Sequence, residues 1–170
     1  MEIRQLTVAD QKAFERFEKA MLEDAKVNPF TEWRETGDFE SFVRQSDLSE
    51  SRQEGQTWST YTRFYGFIDG EIVGLLSCFW DFDHPDCQTL GHLGYMVAPS
   101  FRGNGIASQL VSYGLERYRE REVGSIYIAM AVDNMASRKT AEKAGGNLLG
   151  IFQIAFQGKL VETAKYEVIL

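Results

Sequence analysis

The sequence predicts a mixed α/β domain, in which a mostly antiparallel sheet of about seven strands is flanked by about four helices. Three observations carry this expectation. The chain has 170 residues, 44% apolar and 13% aromatic, enough for one domain with a substantial core. Two aromatic and β-branched runs, 57–68 and 71–82, flank Asp69-Gly70, a dipeptide suited to the type I′ turn of a hairpin. A later run at 89–98 is followed by a helical pattern and by a second apolar run at 125–132, a strand–helix–strand unit whose strands would lie parallel.

The elements follow in order. Residues 2–6 suit a first strand. Ala13, Phe14, Phe17, Ala20, Met21 and Ala25 recur at helical spacing within 8–26, and Asn28-Pro29 ends that helix. Phe39, Phe42 and Val43 suggest a short second helix within the acidic stretch 30–56. After the hairpin, His84-Pro85-Asp86 reads as a turn. The helix 104–122 places Ala107, Leu110, Val111, Gly114, Leu115 and Tyr118 on one face, and Gly124 ends it. The nearly continuous apolar run 125–132 suits a strand covered on both faces. Asp133-Asn134 can cap the next helix, which runs to Ala144 and stops at Gly145-Gly146. Residues 148–157 and 159–169 read as a closing pair of strands around Gly158. Without repeats, low-complexity tracts or an evident linker, residues 1–170 are read as a single domain.

The bulk properties exclude several function classes. A net charge of −7 argues against broad nucleic-acid binding. No apolar run reaches membrane-spanning length, and Met1-Glu2-Ile3-Arg4 does not begin a secretory signal. Cys78 and Cys87 form no disulfide-framework pattern, so a reduced, cytoplasmic protein is expected. A homodimer is compatible with the sequence.

The most informative segment is 95–110. A strand runs through a proline into Arg102, Gly103 and Gly105, and then into an amphipathic helix. Glycines admit close approach to the backbone, and a helix start offers unpaired N–H groups, so this join suits a phosphate or pyrophosphate. It lacks the Gly-Lys-Ser/Thr of a P-loop. Against the Gly-x-Gly-x-x-Gly of a dinucleotide fold, it supplies the first two glycines, with Asp133 as a potential ribose ligand, but the upstream hairpin does not build a doubly wound sheet.

Arg102-Gly103-Asn104-Gly105-Ile106-Ala107 matches the pattern Arg/Gln-x-x-Gly-x-Gly/Ala and resembles the GNAT family of acyl-CoA-dependent N-acetyltransferases. Ile3-Arg4-Gln5-Leu6-Thr7 with Asp10, the hairpin Asp69–Gly74, Val97–Phe101, and the block containing Asn134, Ser137 and Lys143-Ala144-Gly145 are similar to the family in order and spacing. The resemblance implies a GNAT-like fold and acetyl-CoA as co-substrate. Arg102 and the backbone of Gly103, Asn104, Gly105, Ile106 and Ala107 would hold the coenzyme pyrophosphate. Met96, Val97 and Ala98 would bond the pantetheine arm through their backbone, and Asn134 and Ser137 would contact the coenzyme. It further implies direct attack by a primary amine of a small molecule or peptide, without a covalent enzyme intermediate.

The chain also departs from that family. The tyrosine many members carry seven residues after the asparagine is Ala141 here, and the glutamate many carry on the fourth strand is missing from Gly91–Tyr95. His92 is then the candidate base, because imidazole titrates near neutrality. Tyr95, Ser137 or Tyr127 could supply the acid. Strand alternation puts His92 and Tyr95 on opposite faces. These departures leave two other readings open, a CoA-binding regulatory domain with little catalysis and an enzyme acting on proteins or peptides. Asp83, His84, Asp86, Cys87 and His92 include metal-ligand types, but their spacing matches no familiar zinc site and no metal is expected. Cys78 lies in an apolar strand without a paired base, a poor setting for a nucleophile. On the acceptor side, Trp33, Phe39, Phe42 and Trp58 alternate with carboxylates from Glu32 to Glu54, a composition suited to a cationic amine.

Overall fold

The computed structural model describes residues 1–156 and 158–170. Gln157, expected at the end of a closing strand, lies outside the described residues. The described elements are β1 (Glu2–Arg4), α1 (Gln11–Ala25), α2 (Phe39–Leu48), β2 (Tyr61–Ile68), β3 (Glu71–Phe79), α3 (Pro85–Leu90), β4 (Leu93–Val97), α4 (Ile106–Arg119), β5 (Ser125–Ala131), α5 (Met135–Lys143), β6 (Asn147–Phe156) and β7 (Lys159–Ile169). Short 3₁₀ turns at Val8–Asp10 and Pro99–Phe101 precede α1 and α4.

Local chemistry explains most boundaries. Asp10 accepts from the Thr7 N–H at 2.8 Å and receives both Arg4 guanidinium nitrogens at 2.7 and 2.8 Å, joining β1 to the start of α1. Asp38 caps α2 by accepting from the Ser41 N–H. Asp69 and Gly70 take φ of 49° and 78°, the left-handed pair a type I′ turn requires, and β2 pairs with β3 across it. Glu122 is left-handed at φ 57°, and α4 ends at Arg119, before the expected Gly124.

Two expectations are corrected. Residues 89–92 are not strand. His84 caps a helical turn through Nδ1, Pro85 opens it with a preset φ, and the chain stays helical to Leu90, so β4 begins at Leu93. The expected parallel ladder between 92–98 and 125–132 does not form either. The strands make two antiparallel sheets, β1-β2-β3-β4 and β5-β7-β6, which meet at a bridge between Gly91 and Ile128. Both the mixed α/β class and the dominance of antiparallel pairing hold, with five α-helices among the described residues.

The core has two parts. Phe14, Phe17 and Met21 of α1 and Phe39 and Val43 of α2 pack with Tyr65, Phe67 and Leu75 of β2 and β3. Leu110, Val111, Leu115 and Tyr118 of α4 pack with Leu76 and Cys78 of β3 and with Ile126, Ile128 and Tyr166 of the second sheet. This second part holds the two sheets together behind the opening between β4 and β5.

Candidate functional site

The join between β4 and α4 is built to leave backbone donors open. Gly103 and Gly105 take φ of 79° and 75°. A residue with a Cβ pays about 1–2 kcal/mol in that region, which is why glycine stands at both positions. Gly105 is the N-cap of α4 and brings no side-chain cap, and the first turn carries no acidic residue. The first N–H groups of the helix and the positive end of its dipole are therefore open to an anion. Gly103, Gly105, Ile106 and Ala107 line a cavity of about 390 Å³, as do Asn28, Phe30 and Thr31 from the segment after α1. Asn104 does not line it. Its side-chain amide turns back to the carbonyls of Phe101 and Arg102, each at 3.3 Å.

Arg102 lines the cavity with its charge already met. Its Nη1 and Nη2 donate to Asp24 at 2.9 and 2.5 Å, and its Nε donates to the Val97 carbonyl at 3.2 Å. The Thr31 hydroxyl and the Asn28 amide bond the same carboxylate. Arg102 beside it holds the Asp24 carboxyl down, to about 2. The side chain expected to grip a pyrophosphate is thus tied to the end of α1. Asp24 has no sequence signal for this role, because its partner is 78 positions away.

The β3–β4 ladder decides which β4 backbone groups are available. Phe79 N–H donates to the His92 carbonyl, and Ala98 N–H donates to the Val73 carbonyl. Between these two bonds the register pairs Gly94 with Ser77 and Met96 with Leu75. Antiparallel alternation therefore directs the N–H and C=O of Gly94, Met96 and Ala98 toward β3, and those of Tyr95 and Val97 toward the opening. The expectation that Met96 and Ala98 offer backbone bonds to a ligand is corrected: theirs face β3, and Ala98 is buried. Tyr95 takes their place beside Val97.

Two of the three expected catalytic side chains are brought together. The Tyr95 hydroxyl lies 2.8 Å from Ser137 Oγ and donates to the Ser137 carbonyl at 3.1 Å. Burial pushes the Tyr95 phenol above its ordinary value, so it is protonated at neutral pH. Asn134 caps α5 by accepting from the Ser137 N–H at 3.2 Å. Tyr95, Asn134 and Ser137 line both the first cavity and a second one of about 470 Å³ between β4 and β5. Thr140, one turn beyond Ser137, lines the first and was not anticipated.

His92 is not at this junction, which corrects its assignment as base. It is 2% exposed and lines neither cavity. Its Nδ1 accepts from the Tyr127 N–H at 2.9 Å, which leaves the proton on Nε2, facing the Phe82 carbonyl at 3.3 Å. Burial lowers its pKa, so the ring stays neutral. His92 N–H also donates to the Tyr127 carbonyl at 2.8 Å. The imidazole takes a β5 donor that a neighbouring strand would otherwise accept, at the place where β4 and β5 separate. The Tyr127 ring packs against His92 at a tilt of 41° and lines neither cavity.

The remaining candidates resolve simply. Among the described residues, no group of three or more His, Cys, Asp or Glu side chains is placed to hold a metal ion. Burial raises the Cys78 thiol to about 12, and both cysteines are free and buried. Trp33, Phe39 and Phe42 pack around Phe14 rather than on a pocket wall. Of the residues from 28 to 58, Pro29, Phe30 and Glu32 line the second cavity.

Comparison with known proteins adds to this geometry. Residues 19–146 match the model of the acetyltransferase (GNAT) family. No curated protein matches the sequence. Among solved structures, a RimL ribosomal L7/L12 α-N-protein acetyltransferase in complex with coenzyme A superposes with a TM-score of 0.73 at 20% identity, covering 99% of this chain and 93% of that one. A ribosomal-protein-alanine N-acetyltransferase from Brucella melitensis gives 0.69 at 22% identity over 100% of both chains. The microcin C7 self-immunity acetyltransferase MccE, in complex with acetyl-CoA and AMP, gives 0.71 at 22% identity, covering 99% and 93%. At these identities the likeness is one of fold.

Proposed function

This chain belongs to the acetyltransferase (GNAT) family, and we propose that it transfers an acetyl group from acetyl-CoA to a primary amine by direct attack. The supporting observation is the Tyr95–Ser137 contact at the junction of two cavities, one of which opens on the uncapped start of α4. In this reading the N–H groups of Gly103, Gly105, Ile106 and Ala107 hold the pyrophosphate of the coenzyme. Tyr95 presents its N–H and C=O, and Val97 its N–H, to the pantetheine arm as an added strand would use them, the Val97 carbonyl being held by Arg102. Asn134 and Ser137 flank the thioester end.

The chemistry then needs one acid. The amine nitrogen bonds to the thioester carbon, and the carbon–sulfur bond breaks. The Tyr95 hydroxyl gives its proton to the departing thiolate, and the proton lost by the amine returns to Tyr95 through Ser137 and water. The products are an N-acetyl amide and the free thiol of CoA. Tyr95 thereby fills the part left vacant at position 141, where Ala141 is buried. We take residues 1–170 as one such domain, acting in a reducing compartment such as the cytoplasm, where Cys78 and Cys87 stay free.

Calorimetry with acetyl-CoA tests the donor site. Gly105→Asp places a carboxylate and a Cβ at the uncapped helix start and should weaken binding about 100-fold. Unchanged affinity in that variant would remove the cradle from the mechanism. Release of CoA thiol over a panel of amines tests the transfer itself. Coenzyme binding without turnover on any amine would favour a regulatory coenzyme-binding domain.

A further inference from the structure

We propose that β6 pairs edge to edge with β6 of a second copy of this chain, joining two β5-β7-β6 sheets into one across a two-fold axis. β6 is the outer strand of its sheet, and among the described residues no strand extends the ladder beyond it. From Asn147 to Phe156 it contains no Lys, Arg, Asp, Glu or Pro. Edge strands of proteins that stay monomeric are generally blunted by such residues or covered by another element. Ile154 is the one buried residue of the strand. Leu148, Leu149, Ile151 and Phe152 are half-exposed, and Leu160, opposite Ala155 on β7, is more exposed still. In no other described strand do two exposed large apolar side chains follow one another.

The size, symmetry and charge of this surface select its occupant. The exposed parts of the five side chains come to roughly 500 Å², a size at which an apolar patch is generally an interaction site. With the backbone edge, Gln153 and Ala155 added, the surface approaches the roughly 800 Å² that each partner of a stable complex buries. A strand paired antiparallel with its own copy is related to it by a two-fold axis, so the assembly closes at two chains. The bulge at Leu149 leaves Gly150–Phe156 in unbroken register with β7, long enough for such a ladder. Each copy carries a net charge of −7, and two copies approach with least repulsion along a strip without charge. A nucleic acid or a charged peptide finds no counter-ion on that strip. Phe156, Val161 and Thr163 of the same hairpin line the second cavity, so the pairing also braces that wall.

The test uses the full chain without ligand. Light scattering after gel filtration at about 50 µM should give twice the mass of one chain. Ile151→Lys sets one lysine from each copy at the seam and should weaken the dimer at least about 100-fold. Leu48→Lys, at a similarly exposed site on α2, should leave it intact. Hydrogen exchange of the parent gives a reading that needs no variant: amides within 150–156 should be more protected at high than at low protein concentration. A monomer at about 50 µM, an assembly larger than two, or concentration-dependent protection in some other segment would each overturn the proposal. So would a dimer that a folded Ile151→Lys variant keeps, or one that Leu48→Lys weakens equally.

Discussion

Tyr95, Asp24 and His92 each show how a side chain's partners decide what it can do. Tyr95 keeps its proton at neutral pH and holds it 2.8 Å from Ser137 Oγ. Tyr95→Phe retains the ring and removes the acid. The turnover number for CoA release should fall about 100-fold while acetyl-CoA affinity stays the same; parent-like turnover would exclude Tyr95 from the chemistry. Asp24 is held down to about 2 by Arg102, below the carboxylate's ordinary 3.8. Its contribution to stability is therefore complete above about pH 4 and disappears as the pH falls through about 2. Asp24→Asn should cost about 1–2 kcal/mol at neutral pH, and urea unfolding should show a weaker pH dependence between about 4 and 2 than in the parent. His92 joins two strands through its ring. His92→Ala leaves the Tyr127 N–H without its acceptor and should lower stability by about 1–3 kcal/mol. The pH profile of CoA release should keep its shape in that variant, and loss of the acid limb would restore His92 as the base.

At the scale of elements, the close contact between β3, β4 and α4 sets the position of the coenzyme cradle. Gly74 of β3 lies under both neighbours. A Cβ there would stand 2.8 Å from the Met96 carbonyl oxygen and 2.9 Å from the Leu110 side chain. The backbone atom cannot give way without moving β4, so Gly74→Ala should destabilise the protein by about 1–3 kcal/mol, measured by thermal unfolding, and should also weaken coenzyme binding by displacing the Tyr95–Val97 edge. Several elements were legible because their signals are local. Asp69-Gly70 specified its own turn, the apolar spacing within 8–26 specified α1, and Arg102–Ala107 specified the strand-to-helix join. The helix at 85–90 was missed because His84-Pro85-Asp86 suits both a turn and a helix N-terminus, and six residues are too few for periodicity to separate them.

At the scale of the whole molecule, the site is made by two sheets that part. The residues just before β4 meet β5 at Gly91–Ile128 and His92–Tyr127, and beyond that point the open edge of β4 faces the second cavity. A continuous parallel ladder, as the strand–helix–strand pattern alone suggests, would engage the Tyr95 backbone and the Val97 N–H, which are open here. The segment 28–32 completes the arrangement, bordering both cavities while Asp24 and Arg102 tie it to the glycine turn. The expected acceptor aromatics Trp33, Phe39 and Phe42 instead fill the core under α1, because burying apolar area against β2 and β3 outweighs any preference for a pocket wall.

The sequence by itself determined most of the elements, the hairpin, the glycine join and the family, since each depends on residues near one another in the chain. Only the tertiary structure decided which groups are free to act. Whether Arg102 faces a ligand or Asp24, whether Met96 or Tyr95 offers its backbone to the opening, and whether His92 is a base or a strand junction all depend on partners far along the chain. A hydrogen-bonding group is available only when no other group has already claimed it, and that claim is settled by packing.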